Sequence, residues 1–247
     1  SFAIPYENDF TLIGTTDAEH SDASKKPECT PEEQTYLLDF INQYLKKPIS
    51  DAYVVWTYSG VRPLYDDGAS SASAATRDYV LKVDESRGAP ALNIFGGKIT
   101  TYRCLAESAM EDIAKFFPQA RSPWTAGVAM PGGDFPVDGV RTLTVKLTKE
   151  YPFLDQAWAK RLIRGYGTEA RIVLAEAKSK EDLGQRFGSN LTEREVEWLM
   201  KKEYAIEAED IVWRRTKLGL VMTKDEIGVL DVWMKNKNRA AVSAAAE

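Results

Sequence analysis

The segment Ala91-Leu-Asn-Ile-Phe-Gly-Gly-Lys-Ile-Thr-Thr-Tyr-Arg103 decides how the rest of the chain is interpreted. The apolar residues up to Phe95 predict a short buried strand, and Gly96 and Gly97 predict a tight turn that a Cβ atom would obstruct. After the turn, apolar residues recur at a spacing close to 3.6, which predicts a helix. These residues are Ile99, Tyr102, Leu105, Ala109, Ile113 and Phe116.

The corner between the predicted strand and helix brings backbone N–H groups together. The helix dipole places partial positive charge there, and Lys98, Thr100 and Thr101 add further donors. Such a corner suits an anion or the electron-rich edge of a cofactor ring. An ordinary strand-to-helix turn explains the spacing equally well, so this motif alone does not assign a ligand.

Two arginines lie next to further segments that are predicted to form strands. Residues 51–58 are rich in β-branched and aromatic residues and form the strongest strand candidate of the chain. They lead to Arg62, whose planar guanidinium suits a phosphate or a carboxylate. A structural salt bridge is the alternative role for Arg62. Arg77 opens a further predicted strand at 79–83.

The N-terminal region predicts a β-hairpin and a helix. Two apolar runs at 2–6 and 10–14 flank a polar turn. Farther along, Thr30 fits the N-cap of a helix, Pro31 its first position and Glu33 the partner of a capping box.

Beyond Phe117-Pro118, a connector rich in proline and glycine extends to residue 134 and suggests a domain boundary. The sequence after it predicts helices nearly throughout, with capping boxes at 192–195 and 223–226. Residues 165–170 fit the Gly-x-Gly-x-x-Ala dinucleotide fingerprint. Because helix-like sequence precedes them, these glycines are predicted to end a helix instead.

No catalytic residue emerges from the pattern. His20 is the single histidine, and it lies in a polar loop where no spacing provides a partner for a general base. A solvated loop residue is the alternative. Cys29 and Cys104 match no metal or redox spacing, so we predict no metal site and two reduced thiols in a cytoplasmic protein.

Composition narrows the class of protein. A content of 44% hydrophobic and 28% charged residues is typical of a soluble globular protein. The net charge of −5 argues against nucleic acid as a partner and against a strongly basic membrane-binding surface. The chain has no run of 18 apolar residues, the length that predicts a membrane-spanning helix.

Five sequence blocks occur in one order along the chain. They are Ile-Gly-Thr-Thr-Asp (13–17), Tyr-Ser-Gly-Val-Arg-Pro-Leu (58–64), Thr-Arg-Asp-Tyr (76–79), Gly-Gly-Lys-Ile-Thr-Thr-Tyr-Arg (96–103) and Trp-Arg-Arg-Thr-Lys-Leu-Gly (213–219). Together they resemble the FAD-dependent glycerol-3-phosphate dehydrogenases, the aerobic, quinone-linked flavoenzymes. Members of that family carry a further N-terminal half with a Gly-x-Gly-x-x-Gly loop for the FAD pyrophosphate. The resemblance therefore implies that this chain is a C-terminal fragment, inactive alone.

The resemblance implies a mixed α and β fold. Residues 1–58 are expected to form part of a substrate-binding β-sheet domain, 59–117 the closing part of an FAD-binding α/β domain, and 118–247 an all-α C-terminal domain. It also implies two sets of site residues. The substrate set is Arg62, Arg77 and Lys98, and the cofactor set is Gly96, Gly97, Lys98, Ile99, Thr100 and Thr101.

The implied reaction is oxidation of sn-glycerol 3-phosphate at C2 to dihydroxyacetone phosphate, with hydride transfer to N5 of FAD and onward transfer of electrons to quinone. The expected location is the cytoplasm, with peripheral contact at the inner face of the cell membrane, and a homodimer is a further expectation. Arg214 and Arg215 are candidates for contact with anionic lipid headgroups, and a solvated or salt-bridged helix face is their alternative role. Two rival functions stay open: a glycerol-3-phosphate oxidase that uses oxygen, and a non-catalytic helical interaction module at 118–247.

Overall fold

The structure is a computed structural model, and it describes residues 1–22, 24–62, 64–65, 68 and 76–245. The chain divides into two compact units, Ser1–Gly127 and Val128–Glu247, which we call the N-terminal unit and the C-terminal unit. The division falls within the connector rich in proline and glycine.

Two antiparallel hairpins lie in the N-terminal unit. The first joins β1 (Phe2–Tyr6) to β2 (Phe10–Gly14) through a turn at 7–9, as the two apolar runs on either side of a polar turn predict. The second joins β3 (Tyr79–Asp84) to β4 (Ala91–Gly96). Tyr79 lies opposite Gly96, so the beginning of β3 and the end of β4 share one end of the hairpin.

Helix α1 (Pro31–Asn42) begins as its sequence predicts. The Thr30 hydroxyl accepts a hydrogen bond from the Glu33 backbone N–H at 3.2 Å, and the Glu33 carboxylate accepts one from the Thr30 N–H at 3.0 Å. This reciprocal pair satisfies two backbone donors that the first turn of a helix leaves free. The capping-box prediction at Thr30 is confirmed.

The predicted strand at 51–58 is wrong. Asp51–Tyr53 form one turn of 3₁₀ helix, and the described residues that follow it make no strand. Tyr53, Val55 and Tyr58 are 71%, 62% and 57% exposed. Strand propensity mainly reflects packing on cross-strand and same-face neighbours. These side chains have little such packing here, so their β-branched and aromatic character does not produce a strand.

Helix α2 (Tyr102–Ile113) follows β4 after a single 3₁₀ turn, Ile99–Thr101, and ends in a second 3₁₀ turn, Ala114–Phe116. The predicted succession of strand, glycine turn and helix is therefore present, but the strand is not buried as predicted, because Ile94 and Phe95 are 49% and 40% exposed. Its apolar stripe is only partly buried: Ala109 is 8% exposed, whereas Ile99 is 86% exposed.

Helices form most of the C-terminal unit. They are α3 (Val140–Glu150), α4 (Gln156–Tyr166), α5 (Ala170–Leu174), α6 (Glu193–Lys202) and α7 (Lys224–Ala245). Shorter 3₁₀ turns lie at Gly167–Glu169, Glu181–Leu183 and Leu218–Leu220, and a π-helix spans Asp210–Arg215.

The hydrophobic core lies in this unit. Among the described residues, every buried apolar side chain except Ile41 and Ala109 belongs to it. Side chains that are at most 1% exposed come from several helices, so they close one continuous interior, and they include Leu147, Leu162, Leu199, Leu230 and Met234. Full burial of one such side chain contributes about 1.5–3 kcal/mol.

The C-terminal unit is not entirely helical, so the expectation of an all-α domain in this part of the chain is wrong. A short hairpin joins β5 (Arg186–Gly188) to β6 (Leu191–Thr192). It packs against α7, where the rings of Phe187 and Trp233 meet edge to face with centroids 5.2 Å apart.

Of the two capping boxes predicted in this unit, one is confirmed and one is wrong. Thr223 and Glu226 bond each other reciprocally, at 2.8 and 3.2 Å, at the start of α7. Thr192 is the N-cap of α6, but its side chain makes no capping bond. The carboxylate of Glu195, the expected reciprocal partner, accepts hydrogen bonds from Arg161 and Tyr166 in the interior instead.

The second glycine of the apparent dinucleotide fingerprint ends a helix, as predicted. Gly165 lies within α4, and Gly167 follows its last residue at a φ of +56°. A Cβ atom at Gly167 would lie 1.8 Å from the carbonyl oxygen of Gly132, so the backbone of the preceding connector passes directly against it. Glycine is therefore needed at 167 because the backbone at Gly132 packs against it, and not because a dinucleotide binds there.

None of the described helices combines the length and apolarity needed to cross a lipid bilayer.

Candidate functional site

The glycine turn after β4 allows α2 to pack on the β3–β4 hairpin. Gly96 and Gly97 adopt φ values of +68° and +87°, which side chains rarely tolerate. A Cβ atom at Gly97 would lie 3.2 Å from the Tyr79 Cβ and 3.4 Å from the Leu105 Cδ1. The Tyr79 hydroxyl also lies 3.2 Å from the Ser108 hydroxyl of α2.

The residues after the turn present backbone donors to solvent. Lys98 is the N-cap of the 3₁₀ turn and provides no side-chain cap. Among the described residues, the N–H groups of Ile99 and Thr100 donate no backbone hydrogen bond. The Thr101 hydroxyl donates to the Lys98 carbonyl oxygen at 2.9 Å, so this predicted outward donor is used within the turn.

Arg77 lies beside this turn in the strand register. It precedes β3 by two residues, and the pairing of Tyr79 with Gly96 places the start of β3 at the end of β4. Its side chain is exposed, as is that of Lys98. The hairpin therefore brings Arg77 and the predicted cofactor turn to one end.

Arg62 joins a different part of the N-terminal unit. Its Nη1 atom lies 3.1 Å from the Asp17 Oδ2, and the two side chains are 52% and 66% exposed. The salt bridge that was its alternative role is thus present. Because an exposed ion pair contributes about 0–1 kcal/mol, this one adds little stability. Because residues 51–58 form no strand, Arg62 does not follow a strand that would fix its position.

The segment that carries Asp17 is fixed to the first turn of α1. The Thr16 hydroxyl donates to the Glu33 Oε1 at 2.6 Å, while the Glu33 Oε2 accepts the Thr30 N–H. The hydrogen bond from Thr16, followed by that from the Thr30 backbone, lowers the pKa of the Glu33 carboxyl below its ordinary value. Glu33 is therefore ionised at neutral pH and accepts on both oxygens.

This connection between the 13–17 and 58–64 segments is the feature that sequence reasoning missed. The two residues of the Asp17–Arg62 pair are far apart in the chain, and no periodicity links them. The available signal was the polar run Thr15-Thr16-Asp17 directly after a strand.

His20 does not acquire the surroundings of a general base. Its Nε2 atom lies 3.0 Å from the Lys25 backbone oxygen, and its side chain is exposed in the loop. The described residues provide no carboxylate that hydrogen-bonds its ring.

Residues of the block at 213–219 make contacts within the C-terminal unit. The Arg215 guanidinium donates to the Glu203 carbonyl oxygen at 2.9 and 2.5 Å and to the Asp210 carbonyl oxygen at 3.2 Å. Arg214 lies 3.9 Å from the Glu209 carboxylate. A Cβ atom at Gly219 would lie 2.6 Å from the Trp213 ring. These contacts match the salt-bridged alternative for the arginine pair.

A buried polar cluster in the same unit also escaped prediction. Glu195 is 1% exposed, and its two carboxylate oxygens accept from the Arg161 guanidinium at 2.6 and 2.7 Å. The Tyr166 hydroxyl donates to the same carboxylate at 2.7 Å. Burial, with the neighbouring Glu195 charge, raises the pKa of Tyr166, so the phenol stays protonated and keeps donating.

Two family models match the chain in its two parts. Residues 1–103 match the FAD dependent oxidoreductase family, and residues 123–235 match the C-terminal domain of alpha-glycerophosphate oxidase. The first match contains the glycine turn, Arg62 and Arg77. The second contains the buried Glu195 cluster.

Individual relatives match nearly the whole chain. It is 41% identical to a glycerol-3-phosphate dehydrogenase of Pseudomonas aeruginosa and 39% identical to the aerobic glycerol-3-phosphate dehydrogenase of Escherichia coli, over 99% of its length in both cases. It is 40% identical to D-erythritol 1-phosphate dehydrogenase of Brucella abortus over 97% of its length. The chain spans 48%, 49% and 48% of these three relatives. Over nearly its whole length, the chain is therefore similar to about half of each of these glycerol-3-phosphate dehydrogenases, and its first part is similar to the FAD dependent oxidoreductases.

Proposed function

We propose that this chain is the C-terminal half of a flavoenzyme that oxidises sn-glycerol 3-phosphate at C2 to dihydroxyacetone phosphate. The observation that carries the proposal is the identity of 41% and 39% to two glycerol-3-phosphate dehydrogenases over 99% of the chain. Because the chain spans about half of each relative, the activity is proposed for the complete polypeptide, and this half alone is expected to be inactive.

The residues after the glycine turn fit one wall of an FAD site. The N–H groups of Ile99 and Thr100 donate no backbone hydrogen bond to a described residue, and they lie at the start of a helical turn, where donors and partial positive charge favour an electron-rich ring edge. The Ile99 side chain, 86% exposed, offers an apolar surface for a planar ring. Gly96, Gly97, Lys98 and Thr101 complete this segment. When bound, FAD supplies the hydride acceptor.

The cationic residues of the N-terminal unit are assigned to the substrate. A phosphate dianion suits the guanidinium groups of Arg62 and Arg77 and the ammonium group of Lys98. Their task is to bind the phosphate and orient the C2–H bond, which is catalysis by positioning. A base must also remove the hydroxyl proton, and we assign that role to no residue of this chain.

The proposal includes quinone as the electron acceptor, with peripheral contact at the inner face of the cell membrane from the cytoplasm. The oxidase alternative keeps support from the family model that matches residues 123–235. The substrate reduces the flavin in the same way whether oxygen or quinone then accepts the electrons. Oxygen uptake compared with reduction of a soluble quinone by the complete enzyme separates them, and quinone reduction without matching oxygen uptake is the expected result. A homodimer stays a prediction.

A second substrate is favoured by one observation. The relative named D-erythritol 1-phosphate dehydrogenase is 40% identical to the chain, close to the values for the two glycerol-3-phosphate dehydrogenases. The complete enzyme should therefore be assayed with both polyol phosphates. We expect the larger kcat/KM with sn-glycerol 3-phosphate. A larger value with D-erythritol 1-phosphate would overturn this choice, whereas no flavin reduction by either compound would overturn the proposed function.

A further inference from the structure

We infer that Asp17 is a positioning residue for Arg62, held in place through Thr16 by the capping box of α1. The inference rests on the proposed function, in which Arg62 binds the substrate phosphate. Asp17 itself is not expected to touch the substrate.

Within the part of the chain that the structure describes, the Arg62 guanidinium makes its hydrogen bond through Nη1 alone. The Nη1 atom of Arg62 donates a hydrogen bond to the Asp17 Oδ2 at 3.1 Å. The Nε and Nη2 atoms form another edge, and neither makes a hydrogen bond to a residue that the structure describes. Two parallel N–H groups on one edge are what a phosphate or carboxylate accepts. A carboxylate on Nη1 therefore fixes the guanidinium plane while preserving a bidentate donor pair.

The segment of Asp17 is itself anchored. Glu33 divides its two carboxylate oxygens between the Thr30 N–H, at 3.0 Å, and the Thr16 hydroxyl, at 2.6 Å. The residue next to Asp17 is thus tied to the beginning of a helix. The Asp17–Arg62 contact spans the two segments 13–17 and 58–64, so it connects the guanidinium to a fixed point of the fold.

Stability does not explain the pair. Both side chains are more than half exposed, at 52% for Arg62 and 66% for Asp17, and exposed pairs contribute little to folding. Electrostatics gives a rival expectation for binding. A carboxylate near a phosphate dianion repels it, so an Asp17 that acted only through its charge would weaken substrate binding. Positioning and repulsion therefore predict opposite effects when the charge is removed.

The experiment uses the complete flavoenzyme and measures KM for sn-glycerol 3-phosphate, kcat and Tm. The variants are Asp17→Asn, Asp17→Glu, Arg62→Ala and the double variant Asp17→Asn with Arg62→Ala. Glu19→Gln is the matched control, because it removes one negative charge from an exposed residue two positions away. Thr16→Val tests the anchor, since valine keeps the shape of threonine and removes the hydroxyl donor to Glu33.

We expect Asp17→Asn to raise KM by about two- to fivefold, the range of a lost exposed ion pair. Little change is expected in kcat or Tm. Asp17→Glu should recover part of the effect, and Thr16→Val should raise KM by a smaller factor. On the Arg62→Ala background, Asp17→Asn should add no further increase, because Asp17 acts through Arg62. Glu19→Gln should leave KM at its original value.

The outcomes separate failure of this inference from failure of the proposed function. If Arg62→Ala raises KM while Asp17→Asn lowers it or leaves it unchanged, the positioning role is wrong and the proposed role of Arg62 stands. An increase from Asp17→Asn that persists on the Arg62→Ala background would also overturn the inference. If Arg62→Ala leaves KM unchanged in an active enzyme, Arg62 does not bind the substrate and both assignments fall.

Discussion

Two arginine–carboxylate pairs show how burial sets the value of a charged contact. Arg62 and Asp17 are 52% and 66% exposed, whereas Arg161 and Glu195 are 19% and 1% exposed. Water screens the first pair, so its loss costs little folding energy. In the second pair, removal of one partner leaves an unpaired charge away from water, which is far more costly. The first pair therefore contributes little to folding, and the second serves the fold.

Arg62 gives the first prediction. A charge-assisted hydrogen bond contributes about 1.5–3 kcal/mol, which corresponds to roughly 10- to 150-fold in affinity. In the complete flavoenzyme, Arg62→Ala should raise KM for sn-glycerol 3-phosphate by about that factor while FAD stays bound and Tm changes little. Arg62→Lys keeps the charge but loses the planar fork, so it should recover only part of the loss. A large fall in Tm with an unchanged KM would support a purely structural role.

Glu195 gives the second prediction, for the free energy of unfolding. Glu195→Gln removes the charge that faces Arg161 inside the C-terminal unit, and the expected loss is about 3 kcal/mol or more. Glu197→Gln is the matched control on the same helix. Glu197 pairs with Lys237 at 2.8 Å, but the two side chains are 51% and 46% exposed, so the expected loss is under about 1 kcal/mol. Urea denaturation followed by circular dichroism measures both, and equal losses would contradict the argument.

At the scale of elements, signals confined to a few neighbouring residues predicted the structure well. The capping boxes at Thr30 and Thr223 formed because donor and acceptor lie on one turn of the chain. The glycine turn at 96–97 formed because its backbone conformation suits few other residues. The hairpin of β3 and β4 then placed Arg77 beside this turn, so that part of the candidate site follows from local sequence.

Predictions that depended on distant partners were less successful. Residues 51–58 have strand-forming side chains, but the fold leaves several of them exposed, and no strand forms. Glu195 has the spacing of a capping residue, yet Arg161 and Tyr166 attract its carboxylate into the interior. Asp17 and Arg62 belong to the same class, because 45 positions separate them in the chain. Sequence periodicity carries no information about such pairs.

The turn after α4 gives the third prediction. Gly165→Ala should stabilise the C-terminal unit by about 0.4–1 kcal/mol, because a Cβ atom there meets open space within a helix. Gly167→Ala should destabilise it by at least about 2 kcal/mol, since that Cβ atom would lie 1.8 Å from the Gly132 carbonyl oxygen at a φ of +56°. Thermal denaturation of the two variants checks the signs. Destabilisation of similar size in both would show that the Gly132 contact is not the cause.

At the scale of the whole molecule, the two units differ in how much interior they possess. Within the described residues, Ile41 and Ala109 are the only buried apolar side chains of the N-terminal unit. Its two sheets have two strands each, a size that is marginally stable in water without further packing. The C-terminal unit, by contrast, has a core drawn from several helices and a hairpin. The proposed FAD and substrate residues thus lie in the unit with the less developed core.

This contrast predicts two classes of amide hydrogen exchange in the 247-residue chain. Amides of α3, α4, α6 and α7 should exchange roughly 10³-fold or more slowly than those of an unstructured peptide, because a domain core typically contributes at least about 5 kcal/mol against global opening. Amides of β1, β2 and α1 should exchange within about tenfold of the unstructured rate. In the complete flavoenzyme, we expect the second class to gain protection and the first to change little. Equal protection of both units in the 247-residue chain would instead show that the N-terminal unit is as stable as the C-terminal unit despite its smaller core.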